Sequence, residues 1–396
     1  MTGYPRHISA FRRGTLLRSA LLLSLAASLA LGPASASLAR SKNGKKSIPY
    51  RSVLLIEAET GRLLRAVNPR RKVIPASIVK MMVILIAMER MEENTLRPTD
   101  IVTVSRNASK IGGQQVYLSE GERFTINELL KAVSISSAND AAYAVAEYIA
   151  GDIDVFIELM NDRAKQLGMT DTSYVNVHGL PPKRGEPPNL TSARDLAILA
   201  RRLLKYPHAT EMMRTRSATF RNGAFILTNT NKLIGRYPGA DGIKTGSYRA
   251  AGYSIVATAQ RNNLRLIAII LGSDNPKRRF KEARRLLSWG FIRYRWIDPA
   301  KAVSISHPKL KVLQGTKKEI LLKESGNIRT LVQRGEEKRI ASKIKIPDSI
   351  RAPVKNGQTV GKIIYQVAGK NIGEVALLAA ESVERSSFLY NFINLK

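Results

Sequence analysis

Pro75-Ala76-Ser77-Ile78-Val79-Lys80-Met81-Met82-Val83-Ile84-Leu85-Ile86-Ala87-Met88 is the stretch on which the fold turns. After the opening proline, residues 78–88 carry one charge, Lys80, and are otherwise apolar. A helix apolar on every side belongs inside a core rather than at a surface. Eleven residues are too few for a bilayer, which needs roughly 20. Ser77 and Lys80 stand three positions apart, so a helix places them on one face, where an amine can reach a hydroxyl. Serine is a poor nucleophile until a base takes its proton, and a lysine driven toward neutrality by burial can do so. A helix start also offers N–H groups and a dipole to a developing oxyanion.

Outward from this helix, 52–58 and 62–67 are apolar runs around Glu59-Thr60-Gly61, a hairpin signal. Thr125 and Glu128 have the capping-box spacing ahead of a helix. That helix breaks at 136–140 and resumes over 141–150, ending at Gly151. Another helix ends near Gly168, residues 178–189 form a proline-rich loop, and Ser192 opens a helix that stops before Pro207. Runs at 224–228, 242–245, 252–259 and 264–271 read as strands, with Arg261-Asn262-Asn263 as a tight connection, and 277–296 as a basic helix. This order predicts an α+β domain, an antiparallel sheet sandwiched by helices, over 50–299. Six short strand-like runs then predict a small all-β domain over 300–385. The last residues, 386–396, place Phe388, Phe392 and Leu395 on one face of an amphipathic terminal helix.

The chain has 396 residues, 44% apolar, with 64 Lys and Arg against 31 Asp and Glu, a formal charge of +33. Disorder and collagen are excluded. Absence of Cys removes disulfides, thiol nucleophiles and thiolate zinc, and four unpaired His (His7, His178, His208, His307) argue against a metal site. Residues 1–36 read as a signal peptide: four Arg without an acid, an apolar run from Ala20 to Leu31, and a small-residue end at Ala36. Residues 37–49 are a basic leader. Cleavage after Ala36 leaves a charge of about +29. The excess suits anionic envelope polymers or lipid headgroups. No stretch interleaves aromatics with Lys and Arg, so nucleic acid is not an expected partner.

Two further clusters carry chemistry. Ser137-Ala138-Asn139 sits at the break between helices, where a hydroxyl and an amide can relay a proton and bind a peptide group. Lys244-Thr245-Gly246 lies on a strand, offering a cation, a hydroxyl and a glycine that lets a substrate backbone approach. Each pattern has decoys: S-x-x-K recurs at Ser306 and Ser342, and S-x-N at Ser105, Ser273 and Ser325. Only one set runs S-x-x-K, S-x-N, K-T-G in that order with each motif on its expected element: a helix start, a break between helices and a strand.

That ordered set resembles the active-site serine penicillin-recognising enzymes. With Asn176-Val177-His178-Gly179-Leu180, Thr191-Ser192-Ala193-Arg194-Asp195-Leu196 and Asp241-Gly242, the chain resembles the serine-type D-alanyl-D-alanine carboxypeptidases, low-molecular-mass penicillin-binding proteins, over roughly 48–300. The resemblance implies a penicillin-recognising transpeptidase and β-lactamase-like fold and no cofactor or metal. It implies Ser77 as nucleophile, Lys80 as base, Ser137 and Asn139 in the polar cleft, and Lys244, Thr245, Gly246 and Ser247 on the substrate side. Backbone N–H groups of Ser77 and Ser247 would form the oxyanion hole. The implied substrate is the peptidoglycan stem pentapeptide, with β-lactams as inhibitors. The implied place is the periplasm or cell envelope, with peripheral contact at the cytoplasmic membrane. Ala138 and Ser247 depart from relatives with Gly, and with His or Thr. Alternatives are a serine β-lactamase, with Glu186 as the comparison, and a catalytically inert envelope-binding protein.

Overall fold

A computed structural model of the chain describes residues 49–182, 184–303 and 308–386. The expected signal peptide, almost all of the basic leader and almost all of the terminal helix lie outside these residues. The hairpin forms as β1 (Ser52–Glu57) and β2 (Leu63–Val67). A 3-10 turn, Ala76–Val79, then leads into α1 (Lys80–Glu92), in which every side chain from Lys80 to Met88 is buried. Ser77 therefore sits in the tighter turn and not on the α-helix. In a turn with three residues per revolution, i and i+3 eclipse, so the pair aligns more closely than an α-helix would bring it.

Short strands β3 (Ile101–Thr103) and β4 (Arg123–Thr125) flank α2 (Arg106–Ser109). Thr125 and Glu128 form the expected capping box of α3 (Ile126–Lys131). A π-turn, Ala132–Ser136, follows, closed by Ser137 at φ +68° before α4 (Asn139–Ala150). α5 (Ile153–Gln166) and α6 (Ala193–Leu203) match expectation. α7 (Pro207–Arg214) does not, because Pro207 at its first turn starts a helix as well as ending one. β5 (Ser217–Phe220) and β6 (Phe225–Thr228) pair only with each other, outside the main sheet.

β7 (Ala240–Tyr248), β8 (Gly252–Arg261) and β9 (Leu264–Ser273) complete an antiparallel sheet of order β2-β1-β9-β8-β7. Asn262 and Asn263 both adopt positive φ in the turn, a conformation Asn tolerates. Alternation splits the sheet between two cores. Leu54, Ile56, Ile267 and Ile269 face the core shared by α6 and α1, with α6 against β1 and β9, while Val53, Leu55, Leu266 and Ala268 face α8 (Pro276–Arg293), on Ala283, Leu286 and Leu287. Each buried Val, Leu or Ile among them contributes roughly 1.5–3 kcal/mol. β7 is left as an edge.

The basic helix stops earlier than 296. Tyr294–Ile297 forms β10, because alternation of period two replaces the helical one there. The remaining strands are β11 (Lys309–Leu313), β12 (Glu319–Glu324), β13 (Thr330–Gln333), β14 (Ile340–Lys345), β15 (Ser349–Arg351), β16 (Thr359–Val367) and β17 (Lys370–Ala379). Six form one sheet, β14-β16-β17-β12-β11-β15, over a core that includes Leu310, Ile320, Tyr365 and Leu377. β13 pairs with β10 instead, so the strand expected in the β domain bridges to the α+β domain. The Glu59–Arg329 ion pair at 2.9 Å spans the same junction.

Candidate active site

The 3-10 turn, the π-turn and edge strand β7 bring the three motifs together. Lys80 Nζ donates to Ser77 Oγ at 3.0 Å, to Asn139 Oδ1 at 2.6 Å and to the His178 carbonyl at 2.9 Å. Lys244 Nζ donates to Ser137 Oγ at 2.7 Å and to the Thr245 carbonyl at 3.1 Å. Thr245 Oγ1 donates to Thr230 Oγ1 at 2.8 Å, and Asn139 Nδ2 to the Gly112 carbonyl at 2.7 Å. Four of the expected residues thus form two lysine–serine pairs, with Asn139 joined to the first.

Close packing explains two glycines. A Cβ on Gly246 would lie 2.4 Å from the Pro75 carbonyl oxygen and 3.1 Å from the Ile78 nitrogen, so only glycine lets β7 run against the Ser77 turn. Gly179 has φ +80°, and a Cβ there would lie 2.2 Å from the Ala76 carbonyl oxygen. Ser247, next along β7, is exposed at the strand's end.

Electrostatics separates the two lysines. Burial pushes Lys80 well below the ordinary lysine value; the charge of Lys244 adds to this and Asp140 opposes it. Burial also lowers Lys244, to about 7, with Arg279 contributing. His178 falls to about 4 through burial and then Lys80, so it is neutral near pH 7; its Nδ1 accepts from the Leu180 N–H. A neutral Lys80 can take the Ser77 proton, because an uncharged amine has a lone pair and an ammonium has none.

Several contributors were not singled out from sequence. The His178 carbonyl is a backbone atom in a stretch noted only for resemblance. Asp140 accepts from the N–H groups of Val116 and Leu118 at 3.1 Å each, tying that segment to the Asn139 turn. Arg279 donates to the carbonyls of Gly246 at 3.2 Å and Ser254 at 3.3 Å, adding a cation behind β7. Its signal was hidden in a run of basic residues on α8. Glu186 lies exposed on the 178–189 loop. The decoys take other roles: Ser105 and Asn275 cap α2 and α8, and Ser342 lies on β14, where i and i+3 face opposite ways. Ser306 falls outside the described residues.

Residues 39–275 match the family model described as D-alanyl-D-alanine carboxypeptidase, and residues 303–385 match that of the penicillin-binding protein 5 C-terminal domain. The D-alanyl-D-alanine carboxypeptidase DacF of Bacillus subtilis is 36% identical over 86% of this chain and 87% of its own. The penicillin binding protein 5 structure from Haemophilus influenzae superposes with TM-score 0.69 at 27% identity, covering 85% of this chain and 98% of that one. Penicillin-binding protein D2 of Listeria monocytogenes, in its ampicillin-bound form, superposes with TM-score 0.57 at 28% identity over 62% of this chain and 99% of that one. With the match extending through both domains and the three motifs converging on one cleft, the chain belongs to the D-alanyl-D-alanine carboxypeptidase family.

Proposed function

We propose that the protein is a serine-type carboxypeptidase that removes the terminal D-Ala from peptidoglycan stem peptides through an acyl-serine intermediate. The observation that carries this is the 3.0 Å contact between Ser77 Oγ and the fully buried Lys80 Nζ. Lys80, neutral, takes the Ser77 proton as Oγ adds to the carbonyl between the two D-Ala residues. The N–H groups of Ser77 and Ser247 receive the oxyanion. The intermediate expels the terminal D-Ala, whose nitrogen takes the proton held by Lys80. Water then gives a proton to Lys80 and adds to the ester, and the proton returns to Ser77 Oγ as the shortened peptide leaves. Ser137 and Asn139 line the cleft, and Lys244, Thr245 and Arg279 supply the field and hydrogen bonds for the substrate carboxylate.

A β-lactam acylates Ser77 by the same addition, and the ampicillin-bound relative supports this. The β-lactamase reading gains no support, because Glu186 is exposed and Lys80 already stands beside Ser77 as a base for water. An inert envelope-binding protein would not need two buried lysines, each costly to desolvate. Export to the envelope follows from the signal-like residues 1–36 and from the substrate. Among the described residues no helix is long and apolar enough to cross a membrane, and peripheral contact through residues 386–396 is part of this proposal. Release of D-Ala from a diacylated tripeptide ending in D-Ala-D-Ala tests the activity. Ser77→Ala should abolish that release and labelling by a fluorescent penicillin while the protein stays folded. Labelling that survives the substitution would remove Ser77 from the role.

A further inference from the structure

Tyr117 is the odd residue beside the cleft. The residue is 67% exposed, yet its neighbours Val116 and Leu118 are buried, at 1% and 3% exposure. Its backbone is left-handed, φ +58°, a conformation that costs free energy for any residue with a bulky side chain. An ordinary surface tyrosine would relax out of it.

Three sets of contacts prevent that. The N–H groups on either side, of Val116 and Leu118, both donate to the Asp140 carboxylate, next in sequence to Asn139. The Tyr117 carbonyl accepts from Arg221 Nη2 at 2.6 Å, and Arg221 is held by two 2.7 Å bonds to Glu122. Arg221 also lies over the rings of Phe124 and Phe220, which stack on each other at 4.9 Å. The ring of Tyr117 meets Phe225 edge to face at 6.3 Å, and the next residue of β6, Ile226, is 66% exposed. The fold thus holds an aromatic ring out of the core and braces it.

The segment is continuous with the active site. Five residues before Tyr117, the Gly112 carbonyl accepts from the Asn139 side chain, and the Gln114 carbonyl accepts from the Asn139 N–H. Beyond β6, Thr230 receives the Thr245 hydroxyl. Tyr117 and Phe225 therefore belong to the two segments that reach Asn139 and the K-T-G strand. An extended peptide acylating Ser77 along edge strand β7 carries its upstream residues away from the scissile bond at about 3.3 Å per residue. A braced, exposed ring on the rim is suited to cover such a chain, because an aromatic face gives contact area at low entropic cost.

We propose that Tyr117, supported by Phe225, is a specificity-determining residue that packs against the stem-peptide residues upstream of D-Ala-D-Ala. This rests on the carboxypeptidase reading above. The test compares Tyr117→Gly with wild type on a soluble stem pentapeptide and on an N-acylated D-Ala-D-Ala dipeptide. Glycine removes the ring but favours the left-handed backbone, so the segment keeps its shape. For the pentapeptide, kcat/KM should fall about tenfold, through KM. The short dipeptide, which ends before the rim, should be cleaved as by wild type, and Tyr117→Phe should behave as wild type on both. An equal loss on both substrates, or no loss on the pentapeptide, overturns the proposal. Wild-type release of D-Ala from the short dipeptide reports separately on the reading beneath it.

Discussion

The buried ammonium of Lys244 donates to Ser137 Oγ at 2.7 Å, joining residues 107 apart in sequence across the cleft. The Ser137 hydroxyl is thereby oriented by a cation from β7, while Lys80 and Ser77 pair on the other side. Two lysines in one cleft repel, and that repulsion is part of what lowers Lys80.

Removing the hydroxyl should separate proton handling from binding. Ser137→Ala is expected to slow acylation by about 10²-fold, the usual size of an acid–base contribution. Stopped-flow acylation by a chromogenic penicillin measures this. A variant that acylates at the wild-type rate would show that Ser137 relays no proton.

Lys80→Met should abolish acylation, since among the described residues Lys80 is the amine bonded to Ser77 Oγ, while leaving the fold intact. Thermal unfolding should show no loss of stability, because methionine fills similar volume without a charge to desolvate. Lys80→Arg should not rescue activity, as guanidinium does not deprotonate. Measurable acylation by Lys80→Arg would place the base elsewhere.

Lys244 makes stability depend on pH with a definite sign. Its folded value is about 7, and its unfolded value is about 10.4. Between them the unfolded chain binds more protons, so the penalty of burying the charge is full below about pH 7 and vanishes as pH rises toward the unfolded value. Wild-type stability should therefore gain up to about 1.4 kcal/mol per pH unit from this residue between about pH 8 and 10. Denaturant titrations of Lys244→Met should show a slope reduced by that amount. A residual slope of the same sign should persist, because Lys80 is lowered for the same cause. An unchanged slope would contradict the burial of this charge.

Gly179→Ala places a methyl against the backbone of Ala76 at a residue with φ +80°. Expected are a destabilisation above about 1 kcal/mol and a loss of acylation well beyond it, since the turn carrying Ser77 must move. Chemical denaturation and penicillin labelling together check both. Full labelling with wild-type stability would show that the loop gives way without disturbing Ser77.

What could be read from residue order was whatever depends on local chemistry. The uniformly apolar run after Lys80, the Thr125–Glu128 cap, the Asn262-Asn263 turn and the β11 strand follow from propensity and period, and the structure has them. Boundaries failed where two signals overlapped. The basic residues of α8 ran into Tyr294-Arg295-Trp296-Ile297, whose alternation became visible only once β13 supplied a partner. Pro207 carried both a stop and a start.

The order of the three motifs pointed to the family without coordinates and led to the proposal of Ser77 as nucleophile, because each motif's residue types suit the reaction. Their convergence was not contained in any local pattern. It needed the π-turn that places Ser137 in a left-handed conformation, the edge location of β7, and the loop that brings the His178 carbonyl to Lys80. The lowered affinity of both lysines for protons is likewise tertiary, since it comes from desolvation, with the charge of Lys244 adding to it at Lys80 and that of Arg279 at Lys244. So does the bracing of Tyr117, whose ring reads as one more surface aromatic until Asp140 and Arg221 are seen holding its backbone.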